Sequence, residues 1–284
     1  INPNNTAHII AATNNGIYKS SNSGTNWNRV QAGNFKDMDF KPGDPSVIYA
    51  CGTYLYKSID GGDDFSRISD GLHSSSVVNR LALAVTEDNP DIVYIVAGDA
   101  SNSSFYGFYR SNDCGESFTQ MPVSQNLLGY QINGSDNGGQ SWYDLAIAAS
   151  PVDSNEVYVG GVNIWKTIDG GATWNINTHW YYYTDSHPYV HADIHDLIFH
   201  GEVLYAGTDG GLFKTNDYGG DWEDLSAGLA TTQFYRFGLC PSNADLMIGG
   251  TQDNGTNRYN TGIWTHVIGG DGMECLIDYT DQSI

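Results

Sequence analysis

Apolar and polar positions along this chain recur in a fixed order of short segments, none with a helical period. Apolar runs ending in small residues stand at 8–12, 47–52, 93–98, 157–161, 203–207 and 246–250. Another short apolar segment precedes most of them, at 38–41, 81–85, 145–149 and 197–200, and further ones lie at 237–240 and 275–278. Pro/Asp/Asn-rich turns at 2–5, 42–45, 89–91 and 151–153 precede four of the apolar runs. Runs of this length bounded by turn residues predict β-strands.

A sequence motif follows five of the apolar runs: apolar, aromatic, basic, Ser/Thr, any, Asp/Asn, any, Gly, two residues, Trp/Phe. It reads Ile17-Tyr18-Lys19-Ser20-x-Asn22-x-Gly24-x-x-Trp27, then Leu55-Tyr56-Lys57-Ser58-x-Asp60-x-Gly62-x-x-Phe65. Phe108-Tyr109-Arg110-Ser111-x-Asp113-x-Gly115-x-x-Phe118 and Ile164-Trp165-Lys166-Thr167-x-Asp169-x-Gly171-x-x-Trp174 follow, and the fifth is Leu212-Phe213-Lys214-Thr215-x-Asp217-x-Gly219-x-x-Trp222. The Ser/Thr and Asp/Asn side chains can bond the turn's own N–H groups, and Gly supplies a positive φ. The motif Asp residues are therefore expected to be structural, and the basic residue to lie on a solvated strand face. Ser135-x-Asn137-x-Gly139-x-x-Trp142 has no strand before it and reads as a chance match.

Four antiparallel strands, A to D, with the motif turn joining C to D, predict an all-β chain. The repetition predicts one β-propeller domain over 1–284. Its blades run about 1–30, 37–68, 80–121, 142–178, 191–227 and 234–268. The first lacks strand A, and a seventh, beginning at 272, stops after strand A; the chain reads as a fragment of a protein with seven or more blades.

Composition narrows the function. Twelve basic against 33 acidic residues give a net charge of −21, which lacks the basic footprint of a nucleic-acid binder. No apolar run approaches a membrane span. Cys51, Cys114, Cys240 and Cys275 show no metal-ligand spacing and permit two disulfides without requiring them.

The repeats resemble the Asp-box (BNR) repeats of sialidases, sortilin-type receptors and xyloglucanase-type glycoside hydrolases. The segments 190–196, 207–211, 250–256 and 269–272 are most similar to large secreted bacterial proteins often described as glycosyl hydrolases, many with a type IX sorting domain. The resemblance implies an extracellular or cell-surface protein and says more of fold than of function. Sialidase chemistry needs several arginines for a carboxylate substrate, and the chain has six, three of them in or beside motifs.

Topology puts the B–C loops and D–A linkers on the end opposite the motif turns. That end is expected to carry the ligand site: Trp180, Tyr181, Tyr182 and Tyr183 as aromatic faces, with His191, His195, Asp209, Gln252, Asp253 and Asp271. Asp193, Asp196, Asp253 and Asp271 are the candidate carboxyls for an inverting glycosidase. His191, Asp193 and His195 alternate, so an extended strand would present them on one face as ligands for a divalent cation; otherwise no cofactor is expected. Finally, Asp37, Arg80, Asp144, Asp196, Arg236 and Glu274 each precede an apolar A-strand pair, predicting a charged ring in which each Arg meets a flanking carboxylate. The expected function is a noncatalytic binding or adhesion module for glycans or cell-surface proteins. The alternative is an endo-acting glycoside hydrolase using paired Asp carboxylates.

Overall fold

The computed structural model describes residues 1–74, 76–181, 187–229 and 231–281, and among them there is no helix. The chain divides into two compact units, Ile1–Leu225 and Ser226–Ile284, where the sequence predicts one domain. The four buried apolar clusters all lie in the first.

The first unit is a succession of antiparallel sheets in which strands adjacent in sequence are adjacent in space. The first sheet has three strands: β1 (Ile9–Thr13), β2 (Gly16–Ser20) and β3 (Asn28–Gln31). The second is β4 (Asp37–Phe40), β5 (Ile48–Cys51), β6 (Leu55–Ser58) and β7 (Ser66–Ile68), and the third β8 (Val78–Val85), β9 (Val93–Asp99), β10 (Phe105–Ser111) and β11 (Thr119–Gln120). The fourth is β12 (Ala146–Ala149), β13 (Val157–Gly160), β14 (Ile164–Thr167) and β15 (Asn175–Ile176), and the fifth β16 (Ile194–His200), β17 (Val203–Thr208), β18 (Gly211–Thr215) and β19 (Glu223–Asp224). The second unit holds one sheet: β20 (Phe234–Leu239), β21 (Leu246–Thr251), β22 (Thr256–Asn260) and β23 (Ile263–Ile268). These are the blades of a β-propeller. The segment 275–278, expected as a further A strand, is not a strand; Leu276 stands 78% exposed with no sheet to bury it.

Each core cluster sits between neighbouring sheets. Tyr49, Cys51 and Leu55 of the second sheet pack with Leu81, Leu83, Val93 and Ile95 of the third. Tyr94, Val96 and Phe108 of the third pack with Ile147, Val157, Val159 and Trp174 of the fourth. A blade buries its faces only against another blade, as layered β architectures require. Strands β4, β8, β12 and β16 lie side by side in sequence order.

The five motif turns share one bonding pattern. The Ser/Thr hydroxyl accepts the glycine N–H four residues on, at 2.9 Å for Ser20 and Ser58, 2.8 Å for Ser111, 3.1 Å for Thr167 and 2.9 Å for Thr215. That hydroxyl donates to Asn22, Asp60, Asp113, Asp169 or Asp217 at 2.7–3.0 Å. Each of these side chains accepts the N–H four residues ahead. Gly62 and Gly115 adopt φ +83° and +75°, the left-handed region that glycine enters without strain. The Ser117 and Ser111 hydroxyls hold Asp113 down to about 2, below the usual carboxylate range. At Asp169 burial pushes up, but bonds from Thr173 and Thr167 outweigh it and hold the group at about 2.

In four of the five motifs the basic residue does not face solvent, contrary to the sequence expectation; Lys214, 30% exposed and paired at 3.0 Å with Glu223 of its own sheet, is the exception. Lys19 pairs with Asp63 at 2.7 Å and Lys57, 7% exposed, with Glu116 at 2.5 Å; in each case the acid follows the motif glycine of the next sheet. Arg110 reaches Asn155 of the fourth sheet at 3.2 Å. Lys166 pairs with Glu156 at 2.6 Å and donates to the Tyr218 carbonyl in the fifth motif turn at 2.8 Å. The strand edge delivers these side chains to the neighbouring blade, not to water. All four cysteines are free thiols.

Candidate functional site

The loop end of the third to fifth sheets carries a contiguous polar and aromatic surface. It is built on the linker that follows β11, anchored by Leu127 and Leu128, both fully buried. Asn126 organises the linker: its Oδ1 accepts from the Phe105 and Leu128 amides, and its Nδ2 donates to the Asp136 and Gly138 carbonyls at 3.0 and 2.8 Å. Asp136 accepts the Tyr130 amide at 2.5 Å.

Tyr130 and Trp180 are then tied together. Buried Asn163 donates to the Tyr130 carbonyl at 3.2 Å and accepts the Trp180 amide at 3.1 Å, while the Trp180 indole N–H donates to the same carbonyl at 3.2 Å. Tyr130, Trp180 and Tyr181 remain 42%, 38% and 49% exposed, with the Trp180 and Tyr181 rings edge to face at 5.4 Å. Tyr182 and Tyr183 lie outside the described residues.

The polar part adjoins it. Gln140 Nε2 donates to Asp144 at 3.0 Å and also to Asp193. Asp209 accepts the Tyr143 hydroxyl at 2.8 Å and meets His195 Nε2 at 2.6 Å. The Tyr143 ring stands edge-on to His195 at 4.8 Å, and Trp142, 67% exposed, lies beside Tyr143. Burial pushes Asp144 up to about 8, with the charge of Asp193 adding to it, against the bond from Gln140. Burial, then Asp144, Asp193 and Asp136, push the Tyr130 hydroxyl up, which ties the aromatic and acidic parts into one field.

The sequence-predicted residues are thus partly assembled. Asp193, His195 and Asp209 join this surface. His191 turns its Nδ1 toward the Ala192 carbonyl at 3.2 Å and packs its ring beside Gly210. The three-ligand metal site does not form: Asp193 adopts φ +64° and β16 begins only at Ile194, so the extended alternation on which that expectation rested is absent. His195 then falls in a bulge between Ile194 and Asp196, which turns it toward Asp209. Among the described residues no group of three His, Cys, Asp or Glu side chains stands ready to hold a metal ion.

Asp196 instead lines a cavity between β4, β8, β12 and β16, together with Asp37 and Arg80. Arg80 donates to the Tyr143 and Leu145 carbonyls at 3.0 and 3.3 Å and feels the charges of both Asp37 and Asp144. In the second unit, Arg236 meets Glu274 at 3.6 Å, the Asp253 amide donates to Asp271 at 2.9 Å, and the Gln252 carbonyl accepts from Asn254. Sequence reasoning missed Tyr130, Gln140, Trp142 and Tyr143, which lie in a linker without periodicity. Their one signal is an aromatic pair, Trp142-Tyr143, following a motif-like stretch with no strand to anchor it.

No family model matches the chain. It is 26% identical over 216 residues to a xyloglucanase of Paenibacillus sp, covering 65% of this chain and 20% of that one. It is 27% identical over 169 residues to a probable oligoxyloglucan-reducing end-specific xyloglucanase of Neosartorya fischeri, covering 55% and 18%. With sortilin of Danio rerio it shares 28% identity over 122 residues, covering 42% and 13%. The chain therefore spans a fifth or less of the length of these three relatives. Among solved structures, an ancestral GH74 enzyme superposes with a TM-score of 0.60 at 16% identity, covering 94% of this chain and 38% of that one. The GH74 enzyme of Niastella koreensis gives 0.56 at 15%, covering 95% and 44%. A chain of a nidogen/laminin complex gives 0.51 at 12%, covering 92% and 93%. The chain is a β-propeller similar in sequence to xyloglucanases and sortilin and in fold to GH74 enzymes.

Proposed function

We propose that the chain is a glycan-recognising propeller of an extracellular, xyloglucanase-like protein of the Asp-box class, and that its loop-end surface binds a neutral β-glucan such as xyloglucan. One observation carries this reading: Tyr130 and Trp180, tied together through Asn163, stand exposed with Tyr181 on the surface that carries Gln140, Asp193, Asp209 and His195. Exposed rings offer flat apolar faces to sugar rings, and the carboxylates and amide offer acceptors and donors to hydroxyls. The similarity to xyloglucanases supports the choice of polymer.

A second reading, endo-acting hydrolysis, is favoured by two carboxyls of unlike character under one amide. Asp144 keeps its proton to about 8, and Asp193 carries a charge that helps to hold it there. Carboxyls of unlike proton affinity suit acid–base cleavage of a glycoside, and the shared Gln140 nitrogen holds the two closer than the roughly 6.5–9.5 Å of an inverting pair, toward the spacing of a retaining one.

Calorimetry with xyloglucan oligosaccharides tests the first reading. Trp180→Ala should weaken binding about tenfold, a loss of roughly 1.5 kcal/mol of ring contact; unchanged affinity would remove Trp180 from the surface. Product analysis separates the two. Release of new reducing ends, abolished by Asp193→Ala, would establish hydrolysis and end the noncatalytic reading.

A further inference from the structure

We propose that Lys41 and Cys114 form a redox-sensitive cross-link: hydrogen peroxide oxidises the thiol, and the lysine nitrogen closes onto the sulfur as a sulfenamide. The pair lies at the joint between the second and third sheets, and the proposal does not rest on glycan recognition.

Three reactive groups meet there. Lys41 Nζ stands 2.9 Å from Cys114 Sγ and 2.9 Å from Asp91 Oδ1, and the thiol donates to the same carboxylate oxygen at 2.8 Å. The backbone fixes this geometry from both sides. The Cys114 amide donates to the Asp91 carbonyl at 2.8 Å, and the Cys114 carbonyl accepts the Tyr49 hydroxyl at 2.9 Å. The Lys41 amide donates to the Val47 carbonyl at 2.9 Å. Nitrogen and sulfur, supplied by two different blades, therefore stand in contact in the folded protein.

The pairing is peculiar to this joint. The residue before the motif glycine is Cys114 in the third sheet and Ser23, Gly61, Gly170 and Tyr218 in the other turns. The first residue after the inner strand is Lys41 after β4, but Thr86 after β8 and Ser150 after β12. Cys114 is also the one cysteine that is not buried; Cys51, Cys240 and Cys275 are 0%, 6% and 8% exposed. Exposure directs a dissolved oxidant to Cys114, and burial withholds the other thiols as resolving partners. A backbone nitrogen can also capture a sulfenic acid, but the adjacent Gly115 amide is engaged by Ser111 Oγ at 2.8 Å. That leaves the Lys41 nitrogen.

The chemistry balances with one peroxide. Sulfur attacks a peroxide oxygen, the O–O bond breaks, and the thiol proton leaves with the departing hydroxide as water, giving the sulfenic acid. The neutral Lys41 amine then attacks that sulfur; an S–N bond forms, the S–O bond breaks, and the hydroxyl leaves with an amine proton as a second water. Asp91, within reach of both atoms, relays these protons. Sulfur is oxidised, the two peroxide oxygens are reduced, and the protein loses two hydrogens.

The test treats the full chain with hydrogen peroxide, followed by peptide mass spectrometry without reductant. Bonds to Cys114 and then to Asp91 hold the Lys41 ammonium above its ordinary range, so the reaction is run at about pH 9 to supply neutral amine. The expected product joins the Lys41 and Cys114 peptides, is lighter by two hydrogens and reverts with dithiothreitol. Its formation should raise the thermal midpoint, because the link ties two blades in the unfolded chain as well. Lys41→Arg keeps the charge beside Asp91 without the amine; it should fold, give no joined peptide, leave Cys114 as a sulfenic acid that dimedone labels, and show no rise in midpoint. Dimedone labelling of the unsubstituted protein with no joined peptide, capture of the sulfur by Gly115 or by a second chain, a joined species retaining an oxygen atom, or the same product from Lys41→Arg would each overturn the proposal.

Discussion

Replacing Ser111 by alanine should damage the protein more than its small size suggests. Ser111 is 1% exposed, and its hydroxyl serves three groups. It accepts the buried Gly115 amide at 2.8 Å and the Asp113 amide at 3.3 Å, and donates to the Asp113 carboxylate at 2.7 Å. Alanine fills nearly the same space and serves none of them. An unsatisfied buried amide costs about 1–3 kcal/mol. The lost bond to Asp113 adds about 1 kcal/mol, limited by the exposure of that carboxylate. The expected loss is roughly 2–4 kcal/mol, a large fraction of the 5–15 kcal/mol or so of an ordinary fold. Ser117→Ala is the control. Its hydroxyl donates to the other oxygen of Asp113 at 2.6 Å but protects no buried amide, so its removal should cost at most about 1 kcal/mol. Urea denaturation should show a lower midpoint with an unchanged slope for Ser111→Ala, and the Gly115 amide should exchange at least about tenfold faster. If Ser111→Ala costs no more than Ser117→Ala, or Gly115 exchange is unmoved, the hydroxyl is not the centre of the turn.

Other expectations follow from the same geometry. Asp113 has a folded pKa lowered to about 2 from 3.8, so its contribution is present above 3.8 and disappears as pH falls toward 2; denaturation midpoints of Asp113→Asn and the unsubstituted protein should converge over that window. Asp144 is the opposite case, raised to about 8, so stability is full below 3.8 and declines as pH rises toward 8. Asp144→Asn should therefore melt higher than the unsubstituted protein near pH 8 and no higher near pH 3. Glu116→Gln leaves the buried Lys57 ammonium without its anion and should cost about 1 kcal/mol, with salt reducing the difference; a salt-independent loss would point to packing.

The repeated part of the fold was legible because its chemistry is local. Each motif turn closes on side chains within a few residues, so Ser58, Asp60 and Gly62 announce a turn without reference to anything distant. The pattern also separated the true repeats from the stretch ending at Trp142, which is 67% exposed where Phe65, Phe118, Trp174 and Trp222 are 4–9%; Trp27 of the first motif, at 40%, lies between the two. The candidate site was only partly legible, for two reasons. Asp193 enters the left-handed region, which aspartate tolerates and sequence does not mark, so the His191/Asp193/His195 alternation suggested a face that does not exist. Tyr130, Gln140 and Tyr143 belong to a linker whose path is set by Asn126, one side chain bonding to four backbone groups. Nothing in the order of residues distinguishes that asparagine from its neighbours.

The lysines that reach into the following blade make adjacency part of the covalent message. Lys19 meets Asp63 and Lys57 meets Glu116, each acid standing one place after a motif glycine. In the fourth sheet that place is Ala172, and the preceding Arg110 takes Asn155 in its stead; in the fifth it is Gly220, and Lys166 takes a carbonyl and Glu156. Donor and acceptor thus vary together from one joint to the next, as in a lock series cut with different keys. Blades that share a backbone are for this reason not interchangeable. Transplanting the fourth motif turn to the third position would leave Lys57, 7% exposed, facing alanine. A gene that grew by copying one repeat would have to diversify at these joints before its blades could take fixed places, and the joints, more than the strands, keep that order.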